Sequence, residues 1–182
     1  RDFRALGKGT LGRLQGGLSP TKIAISIGSS REGWRSAVID SYRIALGRDP
    51  ETAGLNYWTD AMVRSQDQRF LVGYLFSSAE ADALGREDNP GASPTEAYVR
   101  YLYDTLLNRA PSQGDIDFWV QRIQRSANES VSRKAAAEFF FTSNEIVNVL
   151  VNEASHEVCG VPASGEQKEI LRNALVSSSF QT

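Results

Sequence analysis

Along the middle of the chain, apolar residues recur at helical rather than strand spacing. Val38, Ile39, Tyr42, Ala45 and Leu46 make one stripe, and Val99, Leu102, Tyr103, Leu106 and Leu107 make another. Each stripe runs into an Arg-x-Pro step, Arg48-Asp49-Pro50 or Arg109-Ala110-Pro111. Proline disfavours helical geometry in the residue ahead of it and has no N–H to donate, so the helix is predicted to break there. A second helix is predicted to restart at once. In the first place Asp49 serves as N-cap with Pro50 at the first helical position; in the second, Ser112 and Asp115 fit a capping box. Leu55, Trp58 and Met62, like Ile116, Trp119 and Ile123, then share one face. A third helix is predicted from Phe70, Leu71, Tyr74 and Leu75, and its counterpart from Ala135, Phe139 and Phe140. The Pro, Gly, Asn and Ser content of residues 85–96 predicts a loop, from which Ser93-Pro94 with Glu96 opens the next helix. Period-two alternation is confined to Ile23 to Ile27, where the preceding Ser19-Pro20 favours a helix instead. The fold predicted is all-α.

The pattern is also repeated. Tyr42, Leu46, Arg48, Pro50 and Trp58 return as Tyr103, Leu107, Arg109, Pro111 and Trp119, each 61 positions later, with Leu55/Ile116 and Tyr57/Phe118 as conservative partners. A second block, Tyr74-Leu-Phe76-Ser-Ser78-Ala-Glu80, returns 65 positions later as Phe139-Phe-Phe141-Thr-Ser143-Asn-Glu145. Ile27-Gly-Ser-Ser30-Arg-Glu32 resembles this block a third time. The organisation expected is therefore tandem quasi-repeated helical units packed into one helical domain. Residues 1–37 are the C-terminal part of a degenerate unit, 38–95 and 96–150 are two fuller units, and 151–182 form a helical tail or decayed unit.

Composition narrows the chemistry. The 182 residues hold one cysteine, Cys159, and one histidine, His156, which argues against a disulfide framework or a multi-ligand His/Cys zinc site. Lys+Arg number 20 against 22 Asp+Glu with no basic run, so the electrostatic footprint of a nucleic-acid binder is missing and no nucleic acid is expected as partner. No stretch reaches the roughly 18 apolar residues of a membrane span, so no membrane insertion is expected. The start at Arg1 reads as a piece of a longer polypeptide or a processed form.

Leu46-Gly-Arg-x-Pro-x-x-x-Gly-Leu-x-Tyr-Trp58, followed by the Ser-x-Glu block, resembles the bacterial DUF4214 repeat, a domain of unknown function, in two copies. The second copy departs from the motif: Asn108 replaces its first Gly, and Asp115 stands where its second Gly is expected. The resemblance implies an accessory module of secreted or cell-surface bacterial proteins, hence an extracellular or surface location, and it implies no catalysis.

Arg48 and Arg109 are candidate clamps for a carboxylate or phosphate, but Glu80 and Glu145 repeat with them and predict internal Arg–Glu bridges. These four residues, with Pro50, Trp58, Pro111 and Trp119, are taken as the structural motif. Adjacent helical residues point about 100° apart. If Trp58 and Trp119 are core, then Tyr57 and Phe118, with the isolated Trp34, are the candidate exposed aromatic surface for a ligand. His156 and Cys159 have the spacing of a thiol–imidazole dyad, yet Val158-Cys159-Gly160-Val161-Pro162 reads as a helix end. Gly7-x-Gly9-x-x-Gly12 lacks the strand and companion motifs of a nucleotide loop. Asn128-Glu-Ser130 is a sequon, and the pairs Asp115/Asp117 and Glu87/Asp88 lack an EF-hand's ligand pattern. No catalytic, metal or cofactor site is predicted.

The function expected is a non-catalytic helical accessory or scaffold module that binds glycan or cell-envelope polysaccharide, or docks on another domain of its parent protein. The alternatives are a fragment of a hydrolase using carboxylates from residues 85–96 and 115–117, and a protein–protein docking module.

Overall fold

A computed structural model describes residues 31–146 together with 148, 149, 152, 164 and 165. The helix expected near Ser19 to Ile27, the Gly7–Gly12 segment, the His156/Cys159 pair and most of the tail from 151 lie outside the described residues. Among those described, regular structure is entirely helical. The elements are α1 (Arg31–Leu46), α2 (Thr52–Ser65), α3 (Arg69–Phe76), α4 (Ala79–Asp88), α5 (Pro94–Leu107), α6 (Gln113–Gln124) and α7 (Glu129–Thr142).

Local chemistry sets most of their ends. Ser93 accepts from the Glu96 N–H with Pro94 at the start of α5, and Ser112 and Asp115 form the capping box of α6. Gly47 (φ 67°) follows α1 and Asn108 (φ 51°) follows α5 in left-handed geometry, which Gly adopts freely and Asn tolerates. That shared conformation explains why Asn108 stands in for a glycine. The N-cap expected at Asp49 is a correction: α2 starts at Thr52 after Glu51, and Asp49 instead accepts from the Arg43 guanidinium.

The loop expected over 85–96 is a second correction. Residues 79–88 form α4, and only 89–93 turn. Its start is the Ser-x-Glu block itself: Ser78 Oγ accepts from the Ala81 N–H at 3.2 Å, and Ser143 Oγ does the same for Ile146 at 3.3 Å. The block is thus a capping serine with an acid in the first turn, where the exposed N–H groups favour negative charge. Helix α1 begins at Arg31 with Glu32 in its first turn, and it runs through the unit boundary expected between 37 and 38.

The buried residues form one core cluster drawn from both halves, from Trp34 to Ile146. Helix α1 packs on α2 and α3, and α3 lies along α7. Helix α5 is central, against α4, α6 and α7, and buries Tyr98 and Tyr101 as well as its apolar stripe. Their hydroxyls remain paired: Tyr98 donates to the Arg133 carbonyl at 2.6 Å and Tyr101 to the Ala45 carbonyl at 2.7 Å, so both rings bridge distant elements. No described helix is long and apolar enough to cross a membrane.

Trp34 is the third correction. It is 2% exposed and belongs to the core. Because α1 begins at Arg31, Trp34 leads the same buried face as Ala37, Val38, Ser41, Tyr42 and Ala45. It is not part of an exposed aromatic surface.

Candidate functional site

Two sets of residues recur in space. At the α1–α2 junction, Arg48 Nε and Nη2 donate to the Glu80 carboxylate at 2.6 and 2.8 Å, and Nη1 reaches the Asp49 carbonyl and Glu51. At the α5–α6 junction, Arg109 Nε and Nη2 donate to Glu145, the latter at 3.2 Å, and Nη1 reaches the Ala110 carbonyl and Asp115. Each guanidinium also sits over a tyrosine ring, Tyr42 or Tyr103, at 5.5 and 4.6 Å from the centroid. Hydrogen bonds from Arg48 hold the Glu80 carboxyl below its ordinary range, and those from the Ser112 backbone do so for Asp115. Burial raises the Tyr42 and Tyr103 hydroxyls.

The difference at motif position 54/115 follows from this knot. A Cβ on Gly54 would lie 3.2 Å from the Tyr42 hydroxyl, whereas Asp115 places a carboxylate there that bonds Tyr103 and Ser112. Both arginines therefore have their donors engaged with the chain itself. Pro50 and Pro111 lie in the non-helical links that aim these arginines.

A network that the repeat did not reveal joins the halves. Arg133 of α7, only 13% exposed in its side chain, donates to Asp82 of α4 at 2.7 Å and to Glu129 at 2.9 Å, while Thr95 of α5 donates to the same Glu129. Nothing in the repeat marks Arg133, since Gln68 stands at the matching position.

The second recurring set is aromatic. Trp58 and Trp119 are 4% and 7% exposed, and exposed rings pack against each, with Phe70 a third such ring at 5.9 Å from Trp58. Tyr57 and Tyr74 lie 5.1 and 4.9 Å from Trp58, and Phe118 and Phe139 lie 5.3 and 5.4 Å from Trp119. Sequence reasoning placed Tyr57 and Phe118 here but passed over Tyr74 and Phe139, because their helix contributes to the core through Leu75 and Phe140 one position on. Beside the second set, a pocket of about 410 Å³ opens between α6 and α7, lined by Phe118, Trp119, Arg122, Ile123, Ser132, Ala135, Ala136 and Phe139. Such a volume is in the range of small-molecule sites.

Residues 88–150 match the family model described as Domain of unknown function (DUF4214). Tyr103, Arg109, Asp115, Trp119 and Glu145, with the whole pocket, fall within the DUF4214 match. Neither the curated proteins nor the solved structures hold a match to the chain.

Three of the carboxylates weighed for hydrolysis occupy structural positions. Asp115 caps α6, Asp117 accepts from Gln113, and Glu96 pairs with Arg100 one turn on. Among the described residues no group of three His, Cys, Asp or Glu side chains is arranged to hold a metal ion.

Proposed function

We propose that the chain is a non-catalytic helical module of a secreted or cell-surface bacterial protein, made of two DUF4214-like units, that binds glycan or cell-envelope polysaccharide. The observation carrying the binding role is the set of exposed rings packed against each buried tryptophan. Ring platforms on a packed helix face lose little entropy when they cover the CH face of a sugar. The two-unit reading is supported by the recurrence of the Arg–Glu–Tyr contacts in both halves. A non-catalytic role is supported by the engagement of Arg48, Arg109 and Asp115 in holding helices together.

The test is binding of the purified chain to arrayed glycans and to insoluble cell-wall polysaccharide. Retention on one glycan class, weakened by Phe118→Ala or Tyr57→Ala, is expected. Uniform silence overturns the glycan reading and leaves a spacer. A protein-docking role is a second reading, favoured by the exposed Phe118 and Phe139 with Arg122 beside them. It gains if the chain binds no glycan but self-associates through this face.

A further inference from the structure

The pocket between α6 and α7 has a polarity that the aromatic platform alone does not explain. Its floor is Trp119, Ile123 and Ala136, all buried, and its walls include the exposed rings of Phe118 and Phe139. Arg122 lies one helical turn beyond Phe118, so guanidinium and ring share one side of α6. Arg31, Arg43, Arg48, Arg69, Arg86, Arg100, Arg109 and Arg133 all meet a carboxylate, whereas Arg122, like Arg35, Arg64 and Arg125 outside the pocket, makes no ion pair among the described residues. No carboxylate lines the pocket. An apolar cleft with one unspent bidentate donor at its wall is complementary to a ligand with an apolar face and a carboxylate edge.

The first half shows what removes this feature. At the positions of Arg122 and Ala135 it carries Ala61 and Phe70, and the Phe70 ring lies 5.9 Å from Trp58. There the Phe70 side chain takes the corresponding position, and the cation over its ring, Lys134 at 3.6 Å from the centroid, already pairs with Glu138. Resting on the glycan reading above, we infer that the α6–α7 pocket takes an acidic sugar residue of the polysaccharide. Its pyranose CH face lies on Phe118 and Phe139, and its carboxylate is gripped by Arg122. Ser132, also on the wall, supplies a hydroxyl for a ring hydroxyl.

The experiment is calorimetric titration of the chain with tetragalacturonate and with its methyl ester, which keeps the ring faces and removes the charge. The acid is expected to bind about tenfold or more tighter than the ester, the scale of a charge-assisted pair. Arg122→Gln is expected to abolish that preference, while Arg125→Gln, an exposed cation outside the pocket, leaves it intact. Ala135→Phe, which installs the residue of the first half, is expected to abolish binding of both with the melting temperature retained. Equal affinity for acid and ester, an unchanged Arg122→Gln protein, or equal binding of polyglutamate overturns the acidic-sugar inference. Array binding to a neutral glycan alongside that result would leave the glycan reading standing. Silence toward every glycan overturns both.

Discussion

Gly73→Ala tests how closely the two halves are joined, because the same substitution elsewhere in the chain should have the opposite sign. Replacing a helical glycine by alanine ordinarily gains up to about 1 kcal/mol, by removing backbone freedom from the unfolded chain. Gly73 sits on α3 where that helix meets α7. A Cβ added there would lie 2.7 Å from Glu138 Oε1, 2.8 Å from Glu138 Cγ and 2.9 Å from Lys134 Cγ. Contacts between carbons settle near 3.5–4.0 Å, so about an ångström must be found. The two Cγ atoms sit close to the α7 backbone and cannot simply swing away. Moving them also disturbs Lys134, whose ammonium lies 3.6 Å from the centroid of the Phe70 ring. Overpacking of this kind costs about 1–3 kcal/mol, which exceeds the propensity gain and leaves a net loss of about 1 kcal/mol. For a chain of this length that is a fall in melting temperature of about 2–4 °C. At Gly114 in the first turn of α6, the nearest outside atom to an added Cβ is Ser112 Oγ at 3.8 Å, an ordinary contact. Gly114→Ala should therefore raise the melting temperature, with a gain of about 0.4–1 kcal/mol. Scanning calorimetry of the two variants beside the parent gives both signs in one experiment. A Gly73→Ala protein that melts as high as Gly114→Ala would refute the tight α3–α7 seam.

Three further outcomes follow from the same contacts. Trp34→Ala should cost about 3–5 kcal/mol in urea unfolding, against about 1 kcal/mol or less for Tyr57→Ala, since Trp34 is core and Tyr57 is 62% exposed; equal losses would contradict the burial assigned to Trp34. Five carboxyls are held below their ordinary values in the folded chain: Asp49 by the Arg43 guanidinium, Asp67 by the Arg69 guanidinium, Glu80 by Arg48, Asp115 by the Ser112 backbone and Glu129 by the Thr95 hydroxyl. The unfolded chain then takes up these protons first, so their stabilisation is full above about pH 5 and is lost as pH falls through about 4 and below. A melting temperature that holds level from neutral pH down to 3 would speak against it, and Glu80→Gln should soften the acid slope. Gly47→Val should cost about 1–2 kcal/mol because of the left-handed backbone there, and Gly47→Asn well under half of that, as Asn108 already occupies the matching place; equal costs would remove conformation as the cause.

Much of the fold was legible in the chain because its information is local. The stripe ending at Leu46, the capping box at Ser112 and the Ser93-Pro94 start depend on residues within a turn or two of one another, and the structure keeps them. Where a local signal had two uses, neighbours in space chose between them. Asp49 had the chemistry of an N-cap, but the Arg43 guanidinium claims its carboxylate. Residues 85–88 have loop composition, yet the cap at Ser78 and packing of α4 on α5 carry the helix through them.

The repeated positions of Arg, Tyr, Trp and Glu were a property of the sequence alone, since equal spacing in two places needs no coordinates to be seen. Their assembly around each helix junction, the burial of Trp34, and the Arg133 network across α4, α5 and α7 were decided only by the tertiary structure. So was the pocket, where a small residue at Ala135 leaves space that its counterpart Phe70 fills in the first half. Periodicity says which side of a helix is apolar, and residue type says what a side chain is able to bond. Which apolar side is covered, and which bond is made, depends on what another helix brings within a few ångströms, and that is settled only when the helices pack.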